Sequence, residues 1–162
     1  MAPILRRIER VTLRSPDQKV LADACAAIKS IRQFKTLSFY DTGISEAVLT
    51  DLLAHIRIQQ LYLRSEVVGR GRLDWLNHDG LTWLSVSRTQ FSNPAIDSLP
   101  MTLRLLDATR TRINDAGLEK FIRLTNLRRL NLRRTPTSQP AVEALRKKMP
   151  WCEIQWELLT KP

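Results

Sequence analysis

Residues 102–121 read TLRLLDATRTRINDAGLEKF. Apolar side chains fall at Leu103, Leu106, Ala108 and Ile113, then at Leu118 and Phe121. A strand alternates with a period of two and a helix repeats every 3.6 residues, and neither period covers the whole stretch. Its first half suits a short strand followed by a turn. Its second half begins a segment of helical spacing.

The first half recurs along the chain, and self-similarity at a fixed period decides an architecture before any local propensity does. Leu103-x-x-Leu106-x-Ala108-x-x-Thr111-x-Ile113 returns one period downstream as Leu127-x-x-Leu130-x-Leu132-x-x-Thr135-x-Thr137. One period upstream it reads Leu81-x-x-Leu84-x-Val86-x-x-Thr89-x-Phe91. Before that come Ile58-x-x-Leu61-x-Leu63-x-x-Glu66-x-Val68 and, earlier still, Phe34-x-x-Leu37-x-Phe39-x-x-Thr42-x-Ile44, at nearly the same interval. A weaker first copy is Ile8-x-x-Val11-x-Leu13, and a truncated last copy is Trp151-x-x-Ile154-x-Trp156.

These seven copies in register resemble the leucine-rich repeat superfamily, over residues 8–156. The resemblance implies an α/β fold: a right-handed solenoid of about seven short parallel strands on a concave face, with helices and turns on the convex face. The family often carries Asn or Cys where this chain has Thr42, Glu66, Thr89, Thr111 and Thr135. A threonine hydroxyl can still bond nearby backbone, while Glu66 marks its repeat as irregular. One domain is expected over 1–162. Residues 1–33 form an N-terminal capping unit, 34–150 the repeats and 151–162 a C-terminal cap.

The residues support the same reading without the family. Between the strand segments, apolar positions take helical spacing: Val20, Leu21, Ala24, Cys25 and Ile28; Val48, Leu49, Leu52 and Leu53; Leu118, Phe121 and Ile122; Val142, Leu145 and Met149. Candidate N-caps precede the later segments at Ser45, Asn93, Asn114 or Asp115, and Ser138. Residues 66–80, EVVGRGRLDWLNHDG, hold three of the five glycines, so loop or a single turn is expected there. An open parallel sheet needs covered edges. The segment 17–30 is expected to close one edge, and Trp151, Ile154 and Trp156 the other.

Composition limits the function. The chain has 162 residues and a net charge of +10. That charge favours an acidic partner: nucleic acid, an anionic surface or an acidic protein. It lies mostly in residues 102–148, where 12 Lys and Arg stand against 4 Asp and Glu, a net of +8. Part of it is expected to be answered within the protein, with Glu153 beside Arg129 and Glu157 beside Arg133. No 18-residue apolar run exists, and the start lacks the apolar core of a secretion signal. The expectation is a cytoplasmic protein without membrane contact. Cys25 and Cys152 would lie at opposite ends of the solenoid, too far apart for a disulfide. His55 and His78 fall one repeat apart but have no further metal ligands in view. Gly69-Arg70-Gly71 reads as a tight turn. No phosphate loop, nucleophile elbow or zinc-protease motif occurs. No enzyme activity, cofactor or small-molecule substrate is expected.

With the first apolar residue of each copy as position 1, side chains in columns 3, 5, 7 and 8 would face the concave surface. Column 3 contains Trp83 and Leu105, column 5 Tyr62 and Asp107, and column 7 Tyr40. Column 8 brings Arg88, Arg110 and Arg134 together. Trp83 is either an interface anchor, since Trp, Tyr and Arg dominate interface energetics, or a side chain packed on its neighbours. Arg104, Arg110, Arg128 and Arg134 are expected to be the freer basic groups. The reading is an interaction module in which Trp83, Leu105 and Tyr62 form the apolar centre and Arg88, Arg110 and Arg134 the polar rim of a surface for a protein, acidic in character, with Tyr40, Asp107, Arg104 and Arg128 also counted among its partner-binding residues. The alternative is a basic subunit of a nucleic-acid or ribonucleoprotein complex, contacting phosphates through its C-terminal half.

Overall fold

The computed structural model describes residues 9–31, 33–65, 68–69, 73–76 and 80–157. The expectations placed on Ile8, Glu66, Arg70, Gly71 and His78 lie outside these residues.

Seven strands form one sheet in the order β1-β2-β3-β4-β5-β6-β7, every neighbouring pair parallel. They are β1 Arg10–Leu13, β2 Thr36–Tyr40, β3 Gln60–Arg64, β4 Trp83–Ser85, β5 Leu105–Asp107, β6 Arg129–Asn131 and β7 Glu153–Gln155. The register follows the copies residue for residue: Leu37 pairs with Leu61, Leu61 with Leu84, Leu84 with Leu106, Leu106 with Leu130 and Leu130 with Ile154. The fold is therefore an α/β solenoid of the leucine-rich-repeat type.

The register follows from burial. Each repeat exposes an apolar edge that only its neighbours can cover, so stacking is what removes it from water. Leu37, Leu61, Leu84, Leu106 and Leu130 are fully buried, as are Phe39, Val86, Ala108 and Leu132 two residues further on. One continuous core runs from Leu21 to Ile154.

The threonine column closes the turns after β4, β5 and β6. Thr89, Thr111 and Thr135 donate their hydroxyls to the carbonyls of Val86, Ala108 and Leu132 at 2.7, 2.8 and 2.7 Å. Thr42 and Thr89 also accept from the N–H groups of Ile44 and Phe91. A buried hydroxyl without such partners would be costly. The bonds join nearby residues of the same repeat, as the sequence suggested.

The convex elements are unequal. Helices α1 Gln18–Ile31 and α2 Glu46–His55 precede a single 3-10 turn at Asp74–Leu76. Then follow the one-turn helix α3 Asn93–Ile96, a 3-10 helix at Asp115–Arg123 and helix α4 Gln139–Lys148. The apolar spacing of Leu118, Phe121 and Ile122 does not make an α-helix. A 3-10 segment rises about 2.0 Å per residue against about 1.5 Å in an α-helix, so the same chain spans more of the convex side.

Val20 is 52% exposed, because Leu21, Cys25 and Ile28 form the inward stripe of α1 and Val20 lies one step around it. Trp151, expected in the C-terminal cap, is likewise exposed, whereas Trp156 packs on the core and donates to Thr137 Oγ1 at 2.9 Å. Ser45, Asn114 and Ser138 cap as expected, accepting from Val48, Ala116 and Ala141. Asn93 does not. Ser92 occupies the N-cap position of α3, and the Asn93 amide instead bonds Asn114 in the next repeat, donating to its Oδ1 at 2.6 Å and accepting from its N–H at 3.2 Å.

Candidate interaction surface

The columns read from the sequence are real rows. Thr36, Gln60, Trp83, Leu105, Arg129 and Glu153 are sequential register partners, and so are Ser38, Tyr62, Ser85, Asp107, Asn131 and Gln155. Part of these rows, from Tyr62 to Gln155, lines a groove of about 470 Å³ on the sheet face away from the core. Tyr40, Tyr62, Trp83, Arg88, Leu105 and Asp107 all line it, and Arg64, Arg129 and Gln155 complete its rim.

Trp83 is half-buried and not fully exposed. Its ring lies 5.5 Å from that of Tyr62, the planes inclined by 50°. It thus packs on a neighbour while lining the groove. Burial raises the Tyr62 hydroxyl above its ordinary pKa, with Tyr40 adding to the effect and Arg10 opposing it. Tyr40 sits beneath the Arg14 guanidinium, 5.1 Å from the ring centre. Asp107 is engaged by its own turn: one carboxylate oxygen accepts from the Thr109 N–H at 3.1 Å and hydroxyl at 2.6 Å, the other from Ser85 Oγ at 3.3 Å.

The arginines do not form one group. Arg88, Arg110 and Arg134 follow the carboxyl ends of β4, β5 and β6, and of the three Arg88 lines the groove. Arg104 and Arg128 precede β5 and β6 and so stand at the opposite ends of the strands. Arg128 is not free, because its guanidinium donates to the carbonyls of Thr125 at 2.8 Å and Leu127 at 3.3 Å.

Other cations tie repeats together. Arg123 donates to the carbonyls of Ile96, Asp97 and Leu99 at 2.7, 3.0 and 2.8 Å, satisfying the end of the preceding convex segment. Lys120 pairs with Asp97 at 2.5 Å, Lys148 with Glu119, and Arg129 with Glu153 at 3.2 Å. The Lys148 pair adds a partner to a residue that the helix dipole alone would explain. The expected pair between Glu157 and Arg133 does not form among the described residues. The contact there is backbone, from the Arg134 N–H to the Glu157 carbonyl at 3.4 Å.

Cys25 and Cys152 are free and buried. Burial pushes the Cys152 thiol up to about 11 and raises that of Cys25, so neither is a ready nucleophile. Among the described residues no three His, Cys, Asp or Glu side chains gather as a metal site would require, and no helix is long and apolar enough to cross a membrane.

Arg64 and Arg129 also line the groove, and they occupy the same columns 7 and 3 that hold Tyr40 and Trp83. Their signal was present in the register.

No protein-family model and no curated protein matches the sequence. Among solved structures, a leucine-rich repeat protein of Leptospira interrogans is similar, with a TM-score of 0.54 and 20% identity over 79% of this chain. The match takes in 32% of that protein, so this chain spans about a third of its neighbour's length. At that identity the likeness concerns the fold.

Proposed function

We propose that the chain is a non-enzymatic interaction module that binds a partner protein through the concave face of its sheet. The observation that carries this reading is the groove itself, with Trp83, Tyr62 and Leu105 side by side at its centre. Trp and Tyr supply large contact area for few rotatable bonds, and truncating such anchors removes much of an interface's affinity. A leucine-rich-repeat solenoid offers the same face to many kinds of ligand, so the assignment rests on these side chains and not on the fold.

The splitting of the basic groups supports a protein partner over a phosphate backbone. Arg104 and Arg128 stand across the sheet from Arg88, Arg110 and Arg134 and do not extend their row, and Arg128 is held by the carbonyls of Thr125 and Leu127.

The test is Trp83→Ala. The partner is first identified by affinity capture from native cells, then purified and titrated against wild-type and variant protein. Affinity should fall by at least about 2 kcal/mol, or roughly thirtyfold, with the circular dichroism spectrum unchanged. The convex substitution Glu143→Ala should leave affinity intact. Equal affinity of wild type and Trp83→Ala would remove the groove as the binding site.

A further inference from the structure

The row Arg88, Arg110 and Arg134 has a property that solvation alone does not explain. All three residues adopt left-handed backbone, with φ of 59°, 56° and 57°. Each lies in the turn that takes the chain off its strand. Asp41 holds the equivalent position after β2, with φ of 53°. The coil imposes this conformation, because the N–H of each residue is fixed to a carbonyl of the following strand segment. Asp41 donates to Arg64 at 2.9 Å, Arg88 to Thr109 at 2.9 Å, Arg110 to Arg133 at 3.0 Å and Arg134 to Glu157 at 3.4 Å. Glycine, asparagine and aspartate enter left-handed backbone with least penalty. Arginine has no such advantage, and here three consecutive repeats use it.

Charge makes the choice more costly. Backbones of adjacent strands lie about 4.8 Å apart, so three like charges stand in a short row. Arg134, then Arg88, hold the Arg110 guanidinium below its ordinary pKa. Among the described residues none of the three guanidinium groups has an ion-pair or hydrogen-bond partner. Most of the other cations in this half are engaged, as described for Lys120, Arg123, Arg128, Arg129 and Lys148. Arg88, Arg110 and Arg134 thus form one unanswered row, and Arg88 lines the groove.

We propose that this row and groove receive an acidic, extended segment of a partner protein lying across the strands. Carboxylates would meet the guanidinium groups, and an apolar side chain would rest on Trp83 and Leu105. The proposal deepens the interaction-module reading and rests on it. From first to third arginine the backbones span about 10 Å, while side chains on one edge of an extended peptide repeat about every 7 Å. Long arginine side chains cover that difference, and the planar guanidinium suits bidentate pairing with carboxylate. A nucleic acid fits less well. The Tyr62 and Trp83 rings face each other at 50° and do not present parallel free faces for stacking bases.

The experiment uses the full chain and two fluorescent probes: a peptide of alternating Glu and Leu, with a Gln-for-Glu control, and single-stranded oligouridylate. The variants are Arg110→Asn, the triple Arg88→Asn/Arg110→Asn/Arg134→Asn, and Trp83→Ala. Wild-type protein should bind the acidic peptide at low salt at least about tenfold more tightly than the Gln control. The triple variant should lose at least about tenfold in affinity while its Tm rises by about 2–4 °C, since strain and repulsion both fall. Arg110→Asn should be intermediate in both. A merely structural row would give the opposite sign in Tm. The proposal is overturned if wild type ignores the acidic peptide, if the triple variant keeps its affinity, if its Tm drops, or if oligouridylate binds more tightly through the same arginines. Loss of binding in Trp83→Ala alone would leave the interaction-module reading standing without this one. Unchanged binding in both variants would remove both.

Discussion

Leu106→Ala should destabilise the protein by about 2–5 kcal/mol, the usual range for deleting a buried leucine. Leu106 is fully buried and sits between Leu84 and Leu130 in the central row of the core. In a solenoid each repeat touches only its neighbours, so a lesion here weakens two interfaces at once. Native domains are stable by about 5–15 kcal/mol in total, so the loss would be a large fraction of the whole. Leu13, half-buried on the edge strand β1, has a neighbour on one side only. Leu13→Ala should cost clearly less. Urea denaturation reads both through the midpoint, with the slope showing whether unfolding stays cooperative. Equal costs at the two positions would mean that the rows do not share one stack.

Gly69→Ala is the second large effect. Gly69 has φ of +108°, and a Cβ built there would stand 2.5 Å from Phe91 N and 2.6 Å from Phe91 Cα. Those are backbone atoms of the next repeat, which no side-chain rotation moves aside. Phe91 itself is fully buried. The glycine also joins three repeats: its N–H donates to Glu46 Oε1 at 2.8 Å, and its carbonyl accepts from Ser92 Oγ at 3.3 Å. Left-handed strain of about 1–2 kcal/mol and overpacking of about 1–3 kcal/mol together give a loss of roughly 2–5 kcal/mol. Thermal unfolding of the purified variant measures it. A Tm equal to wild type would show that the repeats carrying Gly69 and Phe91 do not approach as described.

Much of the architecture could be read directly because its cause is local and periodic. The leucines of each copy set a register, and burial admits no other, since a slip of one residue would turn Leu84, Leu106 and Leu130 outward. The groove columns followed from the same arithmetic, which is why Trp83 and Leu105 came out as partners. What stayed hidden depends on contacts between repeats. The pairing of Asn93 with Asn114 replaces a cap that the Asn-Pro dipeptide suggested. Nothing in the periodicity marks Arg123 as the partner of three carbonyls in the preceding repeat. The 3-10 character of Asp115–Arg123 was equally hidden, because apolar spacing does not separate a loose α-helix from a tighter one. The left-handed backbone at Arg88, Arg110 and Arg134 had one faint sign. Asp41, a residue type that tolerates that conformation, shares their column.

The claim beneath all of this is that successive coils of the repeat lie side by side on a single sheet. Methyl-labelled leucine NMR tests it most directly. Cross-peaks should connect Leu84 with Leu106 and Leu106 with Leu130, as expected for paired residues on adjacent strands. If those methyl groups showed no mutual cross-peaks while the protein was folded, the groove and everything proposed to bind there would have no basis.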